Sequence, residues 1–249
     1  MRTRFFGLLC ALALSASAEP VTFQSGPRRV ALVELFTSEG CSSCPPADRW
    51  ISSLRDNPGL WKDFVPVAFH VHYWDQLGWK DRFSSRLFTG RQYAYAESWG
   101  TRQVYTPCFV FNGKEWHMDI SALRPVNEPE AGSLTLQAPS ASALTQCVVH
   151  YTGVGRVAPN TPTPKLIAHV ALLGGGLETN VKSGENAGSL LSHEFAVLAL
   201  GENKLAGAEA RVTLPAPSVA HAPRTALVAW VTTDQSLVPL QAVGGWIVQ

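Results

Sequence analysis

Apolar positions in the first half of the chain switch between two periods. Residues 29–36 form a nearly unbroken apolar run interrupted by Glu34, and residues 64–71 form a second. Runs of this length are strands covered on both faces. Between them Ala47, Trp50, Ile51 and Leu54 recur at i, i+3, i+4 and i+7, a helix that buries one side, and Asn57-Pro58-Gly59 ends it. A second helix is expected over 84–99, with Phe88, Tyr95 and Trp99 on one side and Gly100 as its stop. Phe109 to Phe111 then reads as a strand, and Asn112-Gly113 is a two-residue hairpin signal into 114–117.

Helical periodicity disappears after residues 122–132, which carry Pro125 and Pro129 and read as a linker or short helix. Strand patterns follow at 133–137, 146–151, 165–173, 193–200, 210–214, 226–232 and 240–248, with turn residues between them. These spacings predict an antiparallel sandwich of roughly immunoglobulin size. The expected organisation is therefore an α/β domain over 21–125 followed by an all-β sandwich domain over 133–249.

Composition narrows the function. With 46% apolar and 16% charged residues the 249-residue chain can bury a proper core, so disorder is excluded. Twenty basic residues against 19 acids leave no electrostatic footprint for a nucleic-acid partner. Arg2 and Arg4 precede an apolar run ending near Leu14, and Ala16-Ser17-Ala18 offers small residues for cleavage, so residues 1–18 read as a secretory signal peptide. Its removal would take Arg2, Arg4 and Cys10 and shift the net charge from +1 to −1. No later run is long and apolar enough for a membrane span, and a periplasmic or secreted location is expected.

Export makes the four remaining cysteines informative, because disulfides form and persist in an oxidising compartment. Cys41-Ser42-Ser43-Cys44 follows a buried strand, and Pro45-Pro46 fits only a first helical turn. Cys41 then lies at the positive end of a helix dipole, as the attacking sulfur, with Cys44 deeper as the resolving one. Glu39 opposes this weakly, since a nearby carboxylate raises a thiol pKa.

Strand, Cys-x-x-Cys, helix, and then Thr106-Pro107 before an apolar strand and an Asn-Gly hairpin give residues 30–113 a layout that resembles thioredoxin-like oxidoreductases. The resemblance implies a cis-proline at Pro107, with Thr106 before it, packed against the cysteine pair. It also implies a buried acid at Glu34 that relays protons to Cys44. Val33-Glu34-Leu35-Phe36-Thr37-Ser38-Glu39-Gly40-Cys41, Pro45-Pro46-Ala47-Asp48, Phe69-His70-Val71-His72-Tyr73-Trp74-Asp75 and Gly184-Glu185-Asn186-Ala187-Gly188 are more specific. They resemble a secreted bacterial thioredoxin-like family of unknown function, number twelve twenty-three. The chain departs from that family's pattern at His72 and Cys108, where Asp and Gln are usual.

Three functions compete. The leading reading is a periplasmic thiol-disulfide oxidoreductase that needs no cofactor, exchanging with protein thiols or disulfides and recycled by an envelope redox partner. The second is a copper or zinc protein using Cys41, Cys44, Cys108, His70 and His72, with the two histidines two apart on one strand face. The third is a non-catalytic envelope module with a structural disulfide. Asp75, Trp74 and Trp79 are candidate groove residues beside the cysteines, and Cys147 reads as core.

Overall fold

The computed structural model describes residues 19–117, 123, 130–153 and 164–247. The signal-peptide segment and most of the linker lie outside them. The described chain begins with β1 (Val21–Gln24), β2 (Ala31–Thr37), α1 (Pro45–Ser53), β3 (Phe64–His70), α2 (Arg86–Ser98), β4 (Cys108–Phe111) and β5 (Lys114–Trp116). It continues through β6 (Leu134–Ala138), β7 (Gln146–Tyr151), β8 (Leu166–Gly175), β9 (Leu177–Asn180), β10 (Leu190–His193), β11 (Ala196–Lys204), β12 (Glu209–Thr213), β13 (Arg224–Thr233) and β14 (Ser236–Trp246).

The expected fold class, an α/β thioredoxin-like N-terminal domain followed by a separate all-β sandwich, is overturned. The fold is mostly β, and one eight-stranded mixed sheet in the order β14-β13-β8-β11-β3-β2-β4-β5 takes four strands from each half. The join is at β3, whose edge pairs in parallel with the start of β11 through Ala68 and Ala196. Every residue of β3 is buried; β2 pairs along its whole length on one edge, and β11 meets the other edge at Ala68. The ten-residue strands β8 and β13 are equally central, each paired over nearly its full length.

A four-stranded antiparallel sheet, β1-β6-β7-β12, packs on the second-half strands through Leu134, Leu136, Val149, Val170, Ala199, Leu227 and Val243. Two layers are thus present there, but one layer is the shared sheet. The first-half core joins Leu32, Phe36, Phe69, Phe88 and Tyr95 to Val228 and Trp230, so α2 lies over strands from both halves. A two-stranded ribbon, β9-β10, stands apart from both larger sheets. Among the described residues no helix is long and apolar enough to cross a membrane.

Faces alternate along β2 with period two. Phe36 meets Tyr95 of α2 at 6.1 Å between ring centroids, so Phe36 and Glu34 face α2. Leu35 pairs with Phe109, whose ring meets Trp50 of α1 at 5.0 Å, so Leu35 faces α1. The two helices cover opposite faces of the sheet, and this decides which side chains reach the cysteines.

Candidate functional site at the Cys41–Cys44 loop

The cysteine loop hangs between the end of β2 and the start of α1. Ser38 shapes it, accepting from Cys41 N–H at 3.2 Å with its carbonyl and from Gly40 N–H at 3.1 Å with its hydroxyl. Gly40 is tightly packed: a Cβ there would lie 3.1 Å from Cβ of Trp74, which would have to shift by a few tenths of an ångström to admit it. Cys44 is the N-cap of α1, and Pro45 and Pro46 fill its first positions, where no amide proton is needed. Cys41 and Cys44 are joined as a disulfide with Cα atoms 5.4 Å apart. Both cysteines are fully buried while Ser42 and Ser43 between them are exposed.

The Thr106–Pro107 bond is cis, and the Thr106 carbonyl oxygen lies 3.8 Å from Cys41 Sγ. Trp74 Nε1 donates to the Thr106 hydroxyl at 2.8 Å, tying the 74–80 loop to that turn. Ser43 Oγ lies 3.4 Å from Cys41 Sγ.

Glu34 is placed elsewhere. It sits on the α2 face, where Arg91 Nε donates to one carboxylate oxygen at 2.6 Å and the Tyr95 hydroxyl donates to the other. Burial opposes charge on Arg91, but the Glu34 carboxylate overrides it and raises the guanidinium pKa further. Glu34 is thus a structural ion pair on the opposite face from α1.

Two buried acids flank the cysteines along the chain: Glu39, two residues before Cys41, and Asp48, one helical turn beyond Cys44, its N–H on the Cys44 carbonyl at 3.0 Å. Burial raises its pKa, an effect partly offset by the charges of His193 and His70. Its signal in the sequence is an acid four residues after Cys44, beside Ala47 on the inward side of α1.

Asp48 belongs to a buried polar cluster beneath the loop. His70 Nδ1 meets Asp81 Oδ2 at 2.6 Å, and the same oxygen accepts from Glu39 N–H at 2.9 Å. Glu39 contacts His193 Nε2 at 3.1 Å and accepts from Trp79 Nε1 at 2.8 Å. The His70 and His193 rings are 5.0 Å apart, with Phe83 against both. Burial disfavours the His70 cation, but Asp81 outweighs it and His70 is raised to about 9.

The proposed metal donors are not gathered together. Cys41 and Cys44 are bonded to each other, His70 pairs with Asp81, and His72 turns to the Thr89 hydroxyl of α2 at 2.8 Å. The strand ends at His70, so the two histidines do not share the alternation expected of them. Among the described residues no group of three or more His, Cys, Asp or Glu side chains is arranged to hold a metal ion. Cys108 opens β4 as a buried free thiol, and burial pushes its pKa up to about 11, which keeps it protonated. Cys147 is buried in the other sheet, with its thiol also raised by burial to about 11.

Two contributors come from far along the chain. Asn186 Nδ2 donates to the carbonyls of Glu39 and Cys41, both at 2.9 Å, and Glu185 accepts from Ser42 N–H at 3.0 Å. Their only sequence signal is the Gly-Glu-Asn-Ala-Gly phrase itself, whose meeting with the cysteine loop no local pattern announces.

The chain belongs to the DUF1223 family, proteins of unknown function, whose profile matches residues 32–232. A protein from Agrobacterium tumefaciens, known from its crystal structure, is similar over 90% of this chain and 96% of its own, at 24% identity and a TM-score of 0.59. HBP35 of Porphyromonas gingivalis is similar over 89% of this chain and 76% of its own, at 13% identity and a TM-score of 0.51. Both likenesses concern the fold alone. A comparison with the curated proteins yields no match.

Proposed function

We propose that the protein is a thiol-disulfide oxidoreductase of the bacterial cell envelope, exchanging its Cys41–Cys44 disulfide with protein thiols. The observation that carries this reading is a Cys-x-x-Cys disulfide closed at the N-terminus of α1, with a buried acid of raised pKa one turn beyond Cys44. A partner thiolate attacks Cys41 Sγ, the Cys41–Cys44 bond breaks, and Cys44 leaves as a thiolate. The helix N-terminus stabilises that thiolate, and Asp48 supplies its proton. A second partner thiol, losing its proton, attacks the partner's sulfur of the mixed disulfide; the bond to Cys41 breaks, Cys41 leaves as a thiolate and takes up a proton, and the partner departs with a disulfide, leaving a dithiol. Two electrons pass from two partner thiols to the pair. The signal-like segment 1–18 supports an envelope location.

One observation favours a second reading. Full burial of both cysteines is what a permanent structural disulfide would show, and such a pair would merely add stability. Trapping separates the two. A Cys44→Ser protein, expressed in the envelope, is expected to accumulate mixed disulfides through Cys41 that collapse on reduction, while Cys41→Ser accumulates none. If neither variant captures a partner, the exchange reading fails.

A further inference from the structure

The ribbon of β9 and β10 sets its tip, residues 181–189, against the backbone of the cysteine loop at Glu39, Cys41 and Ser42. The ribbon joins neither larger sheet. Its tip is closed on itself by Val181 N–H on Ser189 O and Gly188 N–H on Val181 O, both 2.9 Å. It leaves the main sheet at Gly174-Gly175-Gly176, where Gly176 has φ 67°, and returns through Phe195 at φ 58°. Both ends of the arm thus carry residues in the left-handed region, where the chain reverses sharply.

The tip's contacts on the cysteine loop are polar, while the arm behind it is anchored by buried Leu177, Val181, Leu191 and His193, the last against Glu39. Glu185 and Asn186 grip the backbone of Glu39, Cys41 and Ser42. The Ser183 hydroxyl donates to Gly78 O, and Gly184 lies so close to the 74–80 loop that a Cβ on it would sit 3.2 Å from Cβ of Trp79. Trp79 in turn is held by Glu39, so the two loops close over the cysteines together. Packing beneath the arm is incomplete: a cavity of about 110 Å³ lies between α1 and β10, lined by Pro45, Asp48, Arg49, Leu190, Leu191 and Ser192. Leu190 at its rim is 63% exposed.

We infer that the β9–β10 arm is a cover that gates the disulfide, and that exchange takes place with a partner protein that displaces it rather than with small free thiols. This rests on the exchange reading above. Nucleophilic attack requires the incoming sulfur to reach Cys41 Sγ in line with the breaking bond, and a fully buried sulfur offers no such path. Lifting the tip frees the Cys41 carbonyl and the Ser42 amide. The step is then the one already given, with the partner's two thiols as reductant.

The test is the rate at which dithiothreitol reduces the purified oxidised protein. Glu185→Lys, at an exposed position, removes the acceptor on Ser42 and places a cation at the helix N-terminus; Asn186→Ala removes both carbonyl clamps. Each is expected to speed reduction at least tenfold with an unchanged circular dichroism spectrum, while Glu185→Gln, which keeps an acceptor, stays near wild type. Equal rates in the folded Glu185→Lys protein and wild type would overturn the cover. So would a wild-type rate equal to that of an unstructured Cys-Ser-Ser-Cys peptide. Equilibration of the same proteins with glutathione reports separately on exchange. A faster variant whose pair never equilibrates with glutathione keeps a cover but overturns its role in exchange. Equal rates with reversible equilibration remove the cover alone.

Discussion

An Arg91→Met substitution is expected to destabilise the protein by about 3–5 kcal/mol, the range for stripping one partner from a buried ion pair. Arg91 is 9% exposed and Glu34 fully buried, so the remaining carboxylate would have no solvent to turn to. Tyr95 would keep one hydrogen bond to it, but the charge-assisted bond at 2.6 Å would be gone. The guanidinium also lies over Phe69, Tyr95 and Trp230 at 5.5, 5.2 and 5.2 Å, contacts that methionine replaces only in part. Because α2 covers strands from both halves, the loss acts on the whole molecule. Adding Glu34→Leu removes the stranded charge and is expected to restore most of the stability, a coupling that a double-mutant cycle in urea measures. A loss below about 1 kcal/mol in the single variant would show that the pair carries little weight.

Stability is also expected to fall by roughly 3 kcal/mol between pH 6 and pH 10, through His70. Its pKa is raised from an ordinary 6.5 to about 9 in the folded protein, so its contribution is complete below about 6.5 and is lost as pH rises through 9. Asp81 has the opposite sign: its pKa is lowered from an ordinary 3.8, so its contribution is present above that value and lost on acidification. Asp48 has the same sign as His70: burial raises its pKa, so its contribution is complete below 3.8 and is lost as pH rises through its folded-state value. The groups facing His70 are Asp81, Asp48, Glu39 and His193, with Phe83 completing the shell. Urea unfolding across this range reads the slope, and His70→Gln is expected to flatten it. Equal stability at both ends in the wild type would mean that His70 is not a buried cation.

These two networks mark where the sequence was readable and where it was not. Both helices were legible, α1 from its apolar spacing and its two prolines and α2 from Phe88, Tyr95 and the glycine stop. The Asn112-Gly113 hairpin was legible too, since φ values of 49° and 82° are what that dipeptide permits. Arg91 lies on the same inward side of α2 as Phe88 and Tyr95, so the partner of Glu34 was written in the periodicity but masked by its charge. The pairing of β3 with β11 was not legible. A strand's apolar run states that both its edges and faces are covered, but it does not name a neighbour some 130 residues away, which is why one shared sheet read as two units. The ribbon escaped for a simpler reason: β9 and β10 have four residues each, too short for alternation to rise above the surrounding turns. The phrase holding Glu185 and Asn186 stood out, but not that it closes on the cysteine loop.

A redox titration of the purified protein in glutathione and dithiothreitol buffers, with alkylated Cys41 and Cys44 read by mass spectrometry, tests the exchange function most directly. Samples are followed until the oxidised and reduced starting forms converge, so that slow access to a covered disulfide is not mistaken for a low potential. The proposed function predicts a reversible midpoint between about −120 and −270 mV, the span of known exchange catalysts. A pair that remains oxidised below about −300 mV would be a structural disulfide and would contradict it.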